Sequence, residues 1–412
     1  MSEPVSETTI GTLPSSLAAT LERAANAPMR AQVERWAAVN SGTGNPAGLA
    51  EMAGLLADAF SALPGEIALR DPAPVDAVAA DGRRVPLRHG RNLHLAVRPE
   101  APVQVLLTGH MDTVFGIDHP FQALTLLDER TLNGPGVADM KGGLAIMLAA
   151  LAAVETHPLA PCLGYEVVIN SDEETGSAGS APLIARAARG KVAALTYEPS
   201  ALPDGTLAGA RLGSGNFSLI VTGRSAHAGR NPQDGRNAVL AAADLALRLA
   251  RLAGPGLSVN PARIDGGGPN NVVPDHAVLR VNMRPLTSDD EMRARAHLDA
   301  AVAAVAAGHD VAIHVHGGFG RPPKPIDPAA GRLLALVRDC GAELGLDIGW
   351  KDTGGVCDGN NIAACGVPVV DTMGARGGAI HSPDEYLILD SLAERARLSA
   401  LVLLRLAERG RP

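Results

Sequence analysis

The stretch VQVLLTGHMDTVFG, Val103–Gly116, decides how the rest of the chain is interpreted. Its first part is a continuous apolar run, typical of a buried strand, and this run leads directly to His110 and Asp112. Parallel sheets carry their functional groups at the carboxyl ends of the strands, where loops cross the sheet edge. A histidine and a carboxylate at such an end therefore predict a functional edge to which other strands contribute.

Further acidic and imidazole side chains follow other predicted strands or lie in Gly-rich loops. Asp139 lies in GPGVADMKGG, Glu173 and Glu174 follow YEVVIN, Glu198 follows VAALTY, and His381 lies in GGAIHSPDEY. Each of these features alone has an ordinary explanation, since Asp139 suits a helix N-cap and an acidic pair is usually a solvated turn. Their joint occurrence around one predicted sheet favours a common site.

The predicted site collects more negative charge than a protein tolerates without compensation. The five carboxylates cannot all stay ionised close together beside His110 unless positive charge is present. One or two divalent cations would supply it, and mixed imidazole and carboxylate ligands suit Zn²⁺, with Mn²⁺ or Co²⁺ as substitutes. Asp112 is placed to accept the second N–H of His110. Of the adjacent Glu173 and Glu174, one should bind metal while the other accepts and donates protons.

The order of the predicted elements indicates two architectures within one chain. Strands alternate with helices over the first half, after amphipathic helical stretches near residues 16–39 and 47–63, which indicates an α/β/α domain with a mostly parallel central sheet. From Gly215 the order becomes βαββαβ, which is that of an α+β ferredoxin-like sandwich. We therefore predict a catalytic domain in two parts, 1–212 and 325–412, with an inserted domain at 213–324.

The composition restricts the classes of function. With 46% hydrophobic and 19% charged residues the chain is globular, and a net charge of −8 without a basic stripe argues against a nucleic-acid or anionic-membrane partner. No signal peptide or membrane span is predicted, and the four scattered cysteines suit reduced thiols, so we expect a cytoplasmic protein. The sequence contains no GxSxG elbow and no phosphate loop, which argues against covalent serine or nucleotide chemistry.

As a set, the motifs resemble the metal-dependent family of glutamate carboxypeptidase, acetylornithine deacetylase and succinyl-diaminopimelate desuccinylase. They are GHMDTV, GPGVADMKGG, SDEETGS, YEPS, RSAHAG, NNVVPDHAVLRVNMRP and GAIHSPDEY, in the family's order across roughly residues 106–386. The glutamate carboxypeptidase branch is the most similar in these motifs. The resemblance implies a zinc-dependent hydrolase whose inserted domain serves as a lid and as the dimerisation surface of a homodimer.

The resemblance also implies the metal ligands. Asp139 would bridge two zinc ions in each subunit. His110 and Glu198 would complete one of the two metal sites, and Glu174 and His381 would complete the other.

Two further residues of the same domain receive roles from the resemblance. Glu173 would be the general base, taking a proton from the attacking water and passing it to the leaving amine. Asp112 would orient the metal-binding histidine. The peptide bond between Asp139 and Met140 would be cis.

Substrate contacts are implied in the inserted domain. His227, in RSAHAG, would stabilise the oxyanion of the substrate carbonyl, often from the neighbouring subunit. Arg284 would grip the substrate's α-carboxylate through its planar guanidinium, and Asn271 would add a hydrogen bond to the same group. Without the resemblance, a surface-turn histidine and a solvated arginine would be the ordinary interpretations.

Three hypotheses about the function remain, two of which differ in the substrate and one of which assumes that activity has been lost. The first is hydrolysis of the amide bond of an N-acyl amino acid or a small C-terminal peptide. The second is a biosynthetic-type deacylase, although desuccinylases tend to carry an arginine in a GGTSDGR-like stretch where this chain has GGVCDGN and Asn360. The third is an inactive protein that retains metal, against which Glu173 argues. Arg376 is a further candidate for contact with an acidic substrate group.

Overall fold

Residues 13–412, which a computed structural model describes, form ten α-helices. The helices are α1 (Ser15–Ala25), α2 (Met29–Ala37), α3 (Pro46–Phe60), α4 (Gly142–Val154), α5 (Ala181–Ala188), α6 (Ala238–Ala250), α7 (Ser288–His309), α8 (Pro328–Glu343), α9 (Asp358–Ala364) and α10 (Asp390–Arg409). The single stretch predicted near residues 16–39 is in fact two helices, because Pro28 precedes α2 and a proline cannot continue the helix before it. The expectation of no signal peptide concerns residues that lie mostly outside the described part of the chain.

The same residues form eighteen strands. They are β1 (Glu66–Arg70), β2 (Asp76–Val78), β3 (Arg84–Pro86), β4 (Asn92–Val97), β5 (Val103–His110), β6 (Thr125–Asp128), β7 (Thr131–Asn133), β8 (Leu163–Asn170), β9 (Ala193–Thr196), β10 (Leu207–Arg211), β11 (Ser214–Thr222), β12 (Leu257–Gly266), β13 (His276–Pro285), β14 (Ala312–Arg321), β15 (Trp350–Thr353), β16 (Val369–Val370), β17 (Gly377–Gly378) and β18 (Tyr386–Ile388). The chain is therefore a mixed α/β protein, as predicted.

The largest sheet is six-stranded and mostly parallel. Its strands lie in the order β1-β4-β8-β5-β9-β16, and only β4 runs opposite to its neighbours. Alternate side chains of β5 enter different cores, since Val105 and Leu107 pack with α4 and α10 while Leu106 packs with α5 and α9. Helices thus cover both faces, which explains why β5 is apolar along nearly its whole length.

Helix α4 lies at the centre of the larger core. Together with the turn before it, the segment Val137–Val154 is long and apolar enough to span a membrane by composition, but 94% of it is buried inside the protein. Its sequence GGLAIMLAALAAV is apolar on every side, and a helix of that kind is stable in water only when other elements surround it. The segment is therefore a core helix of this fold.

The inserted segment forms its own four-stranded antiparallel sheet, in the order β12-β13-β11-β14. Helices α6 and α7 cover one face and enclose a separate core that includes Phe217, Leu245 and Leu279. The predicted order βαββαβ is confirmed, whereas the boundaries at 213 and 324 stay a prediction. The opposite face contacts the β2–β3 hairpin, where Arg280 Nη2 donates to the carbonyl of Val78 at 2.8 Å.

Candidate metal centre

The site lies where three adjacent strands of the main sheet end. In the order β8-β5-β9, His110 is the last residue of the central strand, Glu173 and Glu174 follow β8, and Glu198 follows β9. Because these strands are parallel, their carboxyl ends meet at one edge, as the sequence predicted. Strand β5 extends two residues beyond its predicted end at 108, so that the histidine itself belongs to the sheet.

The side chain of Asp139 lies between two histidines. Its Oδ1 is 3.0 Å from Nε2 of His110, and its Oδ2 is 3.3 Å from Nε2 of His381. Nε2 of His110 is also 3.7 Å from Oε2 of Glu198, and Nε2 of His381 is 3.1 Å from Oε2 of Glu174. The five side chains predicted as ligands therefore converge, with one carboxylate between two groups that each contain a histidine and a glutamate.

The acids of this cluster are buried, although the side chain of His381 is 53% exposed, and burial perturbs the pKa values of these acids. Burial raises the pKa of Glu173 and of Glu198 to about 8 each, and that of Glu174 to about 7. Burial acts in the same direction on Asp139, but hydrogen bonds with the two histidines outweigh it and hold its pKa below the usual range. Hydrogen bonding to Asp139 and Glu174 raises the pKa of His381 to about 10. The raised pKa values of the three glutamates reflect carboxylates crowded in a buried space, where a divalent cation would be strongly favoured.

Asp112 contacts His110 differently from the expected arrangement. Nδ1 of His110 donates to the backbone carbonyl of Asp112 at 2.9 Å, whereas the nearer carboxylate oxygen is 3.5 Å away. The carboxylate instead accepts hydrogen bonds from Oγ1 of Thr43 at 2.7 Å and from the backbone N–H groups of Glu173 and Glu174, each at 3.2 Å. The backbone of Asp112 thus orients the histidine, and its side chain holds the turn that presents both glutamates.

The loop that carries Asp139 is held by Glu385, a residue that the sequence interpretation did not single out. The buried carboxylate of Glu385 accepts backbone N–H groups from Gly136 at 3.2 Å and from Ala138 and Asp139 at 3.0 Å each. The peptide bond after Asp139 is cis, as the resemblance implied. The only sequence signal for Glu385 was its place in the motif GAIHSPDEY, four residues after His381.

Comparison with known proteins identifies the family. The sequence pattern of the family described as "Peptidase family M20/M25/M40" matches residues 106–405. This range includes every residue of the cluster. The chain belongs to this family. It is therefore a hydrolytic enzyme of a metal-dependent group, and two groups of its side chains are close enough to hold a metal ion, namely His110, Glu173 and Glu198, and His110, Asp139 and Glu174.

Two relatives of the chain carry names of different activities. A carboxypeptidase G2 of Pseudomonas sp. is 29% identical over 325 residues, which is 77% of this chain and 77% of that protein. A succinyl-diaminopimelate desuccinylase of Xanthomonas oryzae pv. oryzae is 31% identical over 330 residues, 74% of this chain and 84% of that protein. The similarity to two activities leaves the substrate undecided at the level of family membership.

Solved structures share the M20 fold. A tripeptidase from Staphylococcus aureus matches with a TM-score of 0.70 at 22% identity, covering 94% of this chain and 99% of that one. An M20 family metallo-carboxypeptidase from Sulfolobus solfataricus also gives a TM-score of 0.70, at 14% identity, covering 91% and 98%. At such identities the likeness concerns the fold alone.

A second residue absent from the sequence interpretation is Arg321. This arginine ends β14 and is buried, and its Nη2 donates to Oε1 of Glu173 at 2.6 Å. The two residues are separated by 148 positions, and Arg321 belongs to the inserted sheet whereas Glu173 lies in the turn after β8 of the main sheet. Sequence spacing carries no signal for a contact of this kind, so that only the folded structure reveals it.

Within the described part of the chain, the predicted substrate-binding residues of the inserted segment make no hydrogen bond to the cluster. His227 is exposed, and its Nδ1 accepts the backbone N–H of Gly229 at 3.1 Å. Asn271 is exposed as well, while Arg284 donates to Oδ1 of Asn282 at 3.0 Å. Among residues 13–412, none of the hydrogen bonds of these three side chains reaches a predicted metal ligand.

Arg376 is also engaged elsewhere. Its Nε donates to the carbonyl of Pro203 at 2.9 Å, and its Nη1 donates to Glu394 at 3.0 Å. Both partners lie outside the cluster, so the geometry does not support the earlier suggestion that Arg376 contacts the substrate.

Proposed function

We propose that this M20 enzyme is a di-zinc hydrolase that cleaves the amide bond of N-acyl amino acids or of small C-terminal peptides. The observation that supports it best is the position of Asp139, whose two carboxylate oxygens face different histidines at 3.0 and 3.3 Å. A carboxylate in that position suits a bridge between two metal ions. Glu198 and His110 would complete one site, and Glu174 and His381 the other.

The donor set fits zinc, which prefers imidazole nitrogen and carboxylate oxygen ligands. Each proposed site combines one histidine, one glutamate and one oxygen of Asp139, with Mn²⁺ or Co²⁺ as substitutes. When bound, the ions would supply Lewis-acid activation of water and of the scissile carbonyl. The remaining steps depend on side chains of the protein.

Glu173 would act as the general base. A carboxylate oxygen of Glu173 and the ligand atoms of His110 and Glu198 all lie within 4.8 Å of one another, so the base would face the attacking water. Burial raises the pKa of Glu173 above its usual value, which favours its holding the proton between taking it from water and giving it to the leaving amine. The presence of this carboxylate beside the ligands argues against the hypothesis of an inactive metal-binding protein.

Substrate recognition would come from the inserted segment. His227 would stabilise the oxyanion, Arg284 would bind the α-carboxylate, and Asn271 would donate to the same group. His227 is exposed and makes no hydrogen bond to the cluster within the described part of one chain, so we propose that a homodimer, formed through the inserted domain, brings His227 of one subunit to the site of the other. The four free cysteines support a reduced, cytoplasmic setting.

The deacylase alternative depends on how the acyl group is recognised. Asn360 occupies the place where desuccinylases tend to carry an arginine, and its Nδ2 donates to the carbonyls of Leu212 at 2.9 Å and Pro322 at 2.8 Å. Its side chain is buried and is used by these backbone contacts. This favours substrates without a carboxylate on the acyl side, such as N-acyl amino acids, over succinylated ones.

A substrate panel with the zinc-loaded enzyme tests the proposal. N-acyl amino acids, folate-like glutamates, acetylornithine and succinyl-diaminopimelate should be compared with and without a chelator. We expect chelator-sensitive hydrolysis that is fastest on the first two classes. Preferred turnover of succinyl-diaminopimelate would favour the deacylase alternative, and no turnover of any member by zinc-loaded protein would argue for the binding protein.

Glu173→Gln tests the base directly. We expect kcat to fall by about 10³-fold, since a positioned general base contributes roughly 10²–10⁴-fold, while two equivalents of zinc are retained by elemental analysis. Glu166→Gln is a matched control, because Glu166 lies on β8 and also contacts a histidine, with Oε2 at 2.7 Å from Nε2 of His94, but lies away from the cluster. If Glu173→Gln lost zinc in proportion to its loss of activity, Glu173 would be the metal ligand and Glu174 the base.

A further inference from the structure

The glutamate proposed as the base is held by an arginine that belongs to the other sheet. Nη2 of Arg321 donates to Oε1 of Glu173 at 2.6 Å and to the backbone carbonyl of the same residue at 3.1 Å. Both side chains are largely buried, with exposed fractions of 4% for the arginine and 10% for the glutamate. One guanidinium nitrogen therefore contacts both the side chain and the main chain of Glu173.

Arg321 is itself fixed by neighbours on the other side of its guanidinium. Nη1 donates to Oδ1 of Asp358 at 2.9 Å and to Oδ1 of Asn361 at 3.0 Å, and Nη2 donates to Oγ of Ser177 at 3.0 Å. Asp358 in turn accepts from Oγ of Ser177 at 2.5 Å and from Nδ2 of Asn170 at 2.8 Å. The plane of the guanidinium is thus set by several partners, and the position of the carboxylate that it holds is set with it.

We propose that Arg321 is the positioning residue of the general base. It holds Oε1 of Glu173, so that the other carboxylate oxygen is left to exchange the proton beside His110 and Glu198. This inference rests on the proposed function, in which Glu173 is the base. Fixing one oxygen restricts the glutamate to one orientation before the substrate binds. The entropy of ordering this side chain then no longer adds to the activation free energy of the chemical step.

The position of Arg321 in the chain gives this contact a second consequence. The arginine lies where the inserted segment returns to the main domain, and it pairs with Ser214, where the segment begins. The start of α9 holds both connections, since Asn360 donates to the carbonyls of Leu212 and Pro322, and Asn361 donates to the carbonyl of Gly320 at 3.0 Å. The orientation of Glu173 therefore depends on the contacts between α9 and the two chain segments that connect the inserted domain to the main domain.

Arg321→Ala tests the proposal. We expect kcat to fall by about 10²-fold, because a displacement of about 1 Å of a catalytic group costs roughly that much, while KM changes less than about twofold and two zinc equivalents remain. The KM value is informative because Arg321 would not contact the substrate. If Arg321→Ala cannot be purified folded, Arg321→Gln serves the same test, since it keeps a polar side chain of intermediate length. A kcat within about threefold of the wild type in a folded, zinc-loaded variant would overturn the proposal.

A double-mutant cycle separates positioning from a purely structural role. In Glu173→Gln/Arg321→Ala we expect no further loss of kcat relative to Glu173→Gln alone, since the arginine would act only through the base. A further loss of about 10²-fold would overturn the proposal. Full activity of Glu173→Gln itself would instead refute the proposed function.

Arg395→Ala is the matched control for the loss of a buried arginine. Arg395 is 1% exposed in its side chain and lies on α10, where Nη2 donates to the carbonyl of Gly205. We expect this variant to lower Tm but to keep the kcat of the folded enzyme. A kcat loss in Arg395→Ala as large as that in Arg321→Ala would show that destabilisation accounts for both and would overturn the positioning role.

Discussion

At the edge of the main sheet, each of the five predicted ligands has a side-chain atom within 3.7 Å of another, as in the 3.0 Å contact between His110 and Asp139. In the loops beside the inserted sheet, by contrast, His227 and Asn271 are exposed, and their segments pair with each other through the backbone, as in the 2.9 Å hydrogen bond from Ala228 N–H to the carbonyl of Asn271. The first group shares one rigid sheet, in which hydrogen bonding between strands sets the spacing of the strand ends. The second group belongs to a separate core, so that its distance from the cluster depends on contacts between two bodies or two chains.

The largest expected effect comes from the residue at the centre of the first region. Asp139→Ala should lose both zinc ions and lower activity by more than about 10³-fold, because the one carboxylate would serve both sites. Zinc content by elemental analysis after dialysis checks it, with Asp128→Ala, an exposed aspartate of β6, as the control that keeps both ions. One full equivalent of zinc in Asp139→Ala would contradict the bridging role.

The second region is tested by His227→Ala. We expect kcat to fall by about 10²-fold with unchanged zinc content, as is typical when one oxyanion donor is removed. His297→Ala, an exposed histidine of α7, is the control.

A mixing experiment then decides which subunit supplies His227. If subunits of His227→Ala and Glu173→Gln exchange freely, half of the dimers are mixed and one of their two sites is intact, so roughly a quarter of wild-type activity should return. Confirmed mixed dimers without any recovery would mean that His227 acts within its own chain, and the inserted domain would then have to move to reach the cluster.

The smallest expected effect concerns Glu385, whose carboxylate binds the backbone of the loop that carries Asp139. Glu385→Gln keeps one acceptor oxygen but replaces the other by a donor, so it can no longer accept all three N–H groups of the loop 136–139. Zinc affinity should fall by about tenfold, with kcat close to the wild type at saturating zinc. Asp384→Asn is the neighbouring exposed control, and an unchanged zinc dissociation constant would limit Glu385 to a role in folding.

Most of the metal-ligand edge could be predicted because its signals are local. The apolar run of β5 indicates a buried strand, and the polar residues that follow it, such as His110, must emerge at the sheet edge. The same argument placed Glu173, Glu174 and Glu198. The roles within the set were less predictable, since the carboxylate of Asp112, which lies 3.5 Å from Nδ1 of His110, also accepts the backbone N–H groups of Glu173 and Glu174.

The sequence by itself determined the two architectures and the identity of the candidate ligands, because periodicity and motif spacing are properties of short segments. Only the tertiary structure decided that Arg321 holds Glu173 and that Glu385 holds the loop of Asp139. These contacts join residues 148 and 246 positions apart, and their geometry depends on how separately formed elements pack. No local pattern encodes such a distance, since it is set by the sum of all the contacts between those elements.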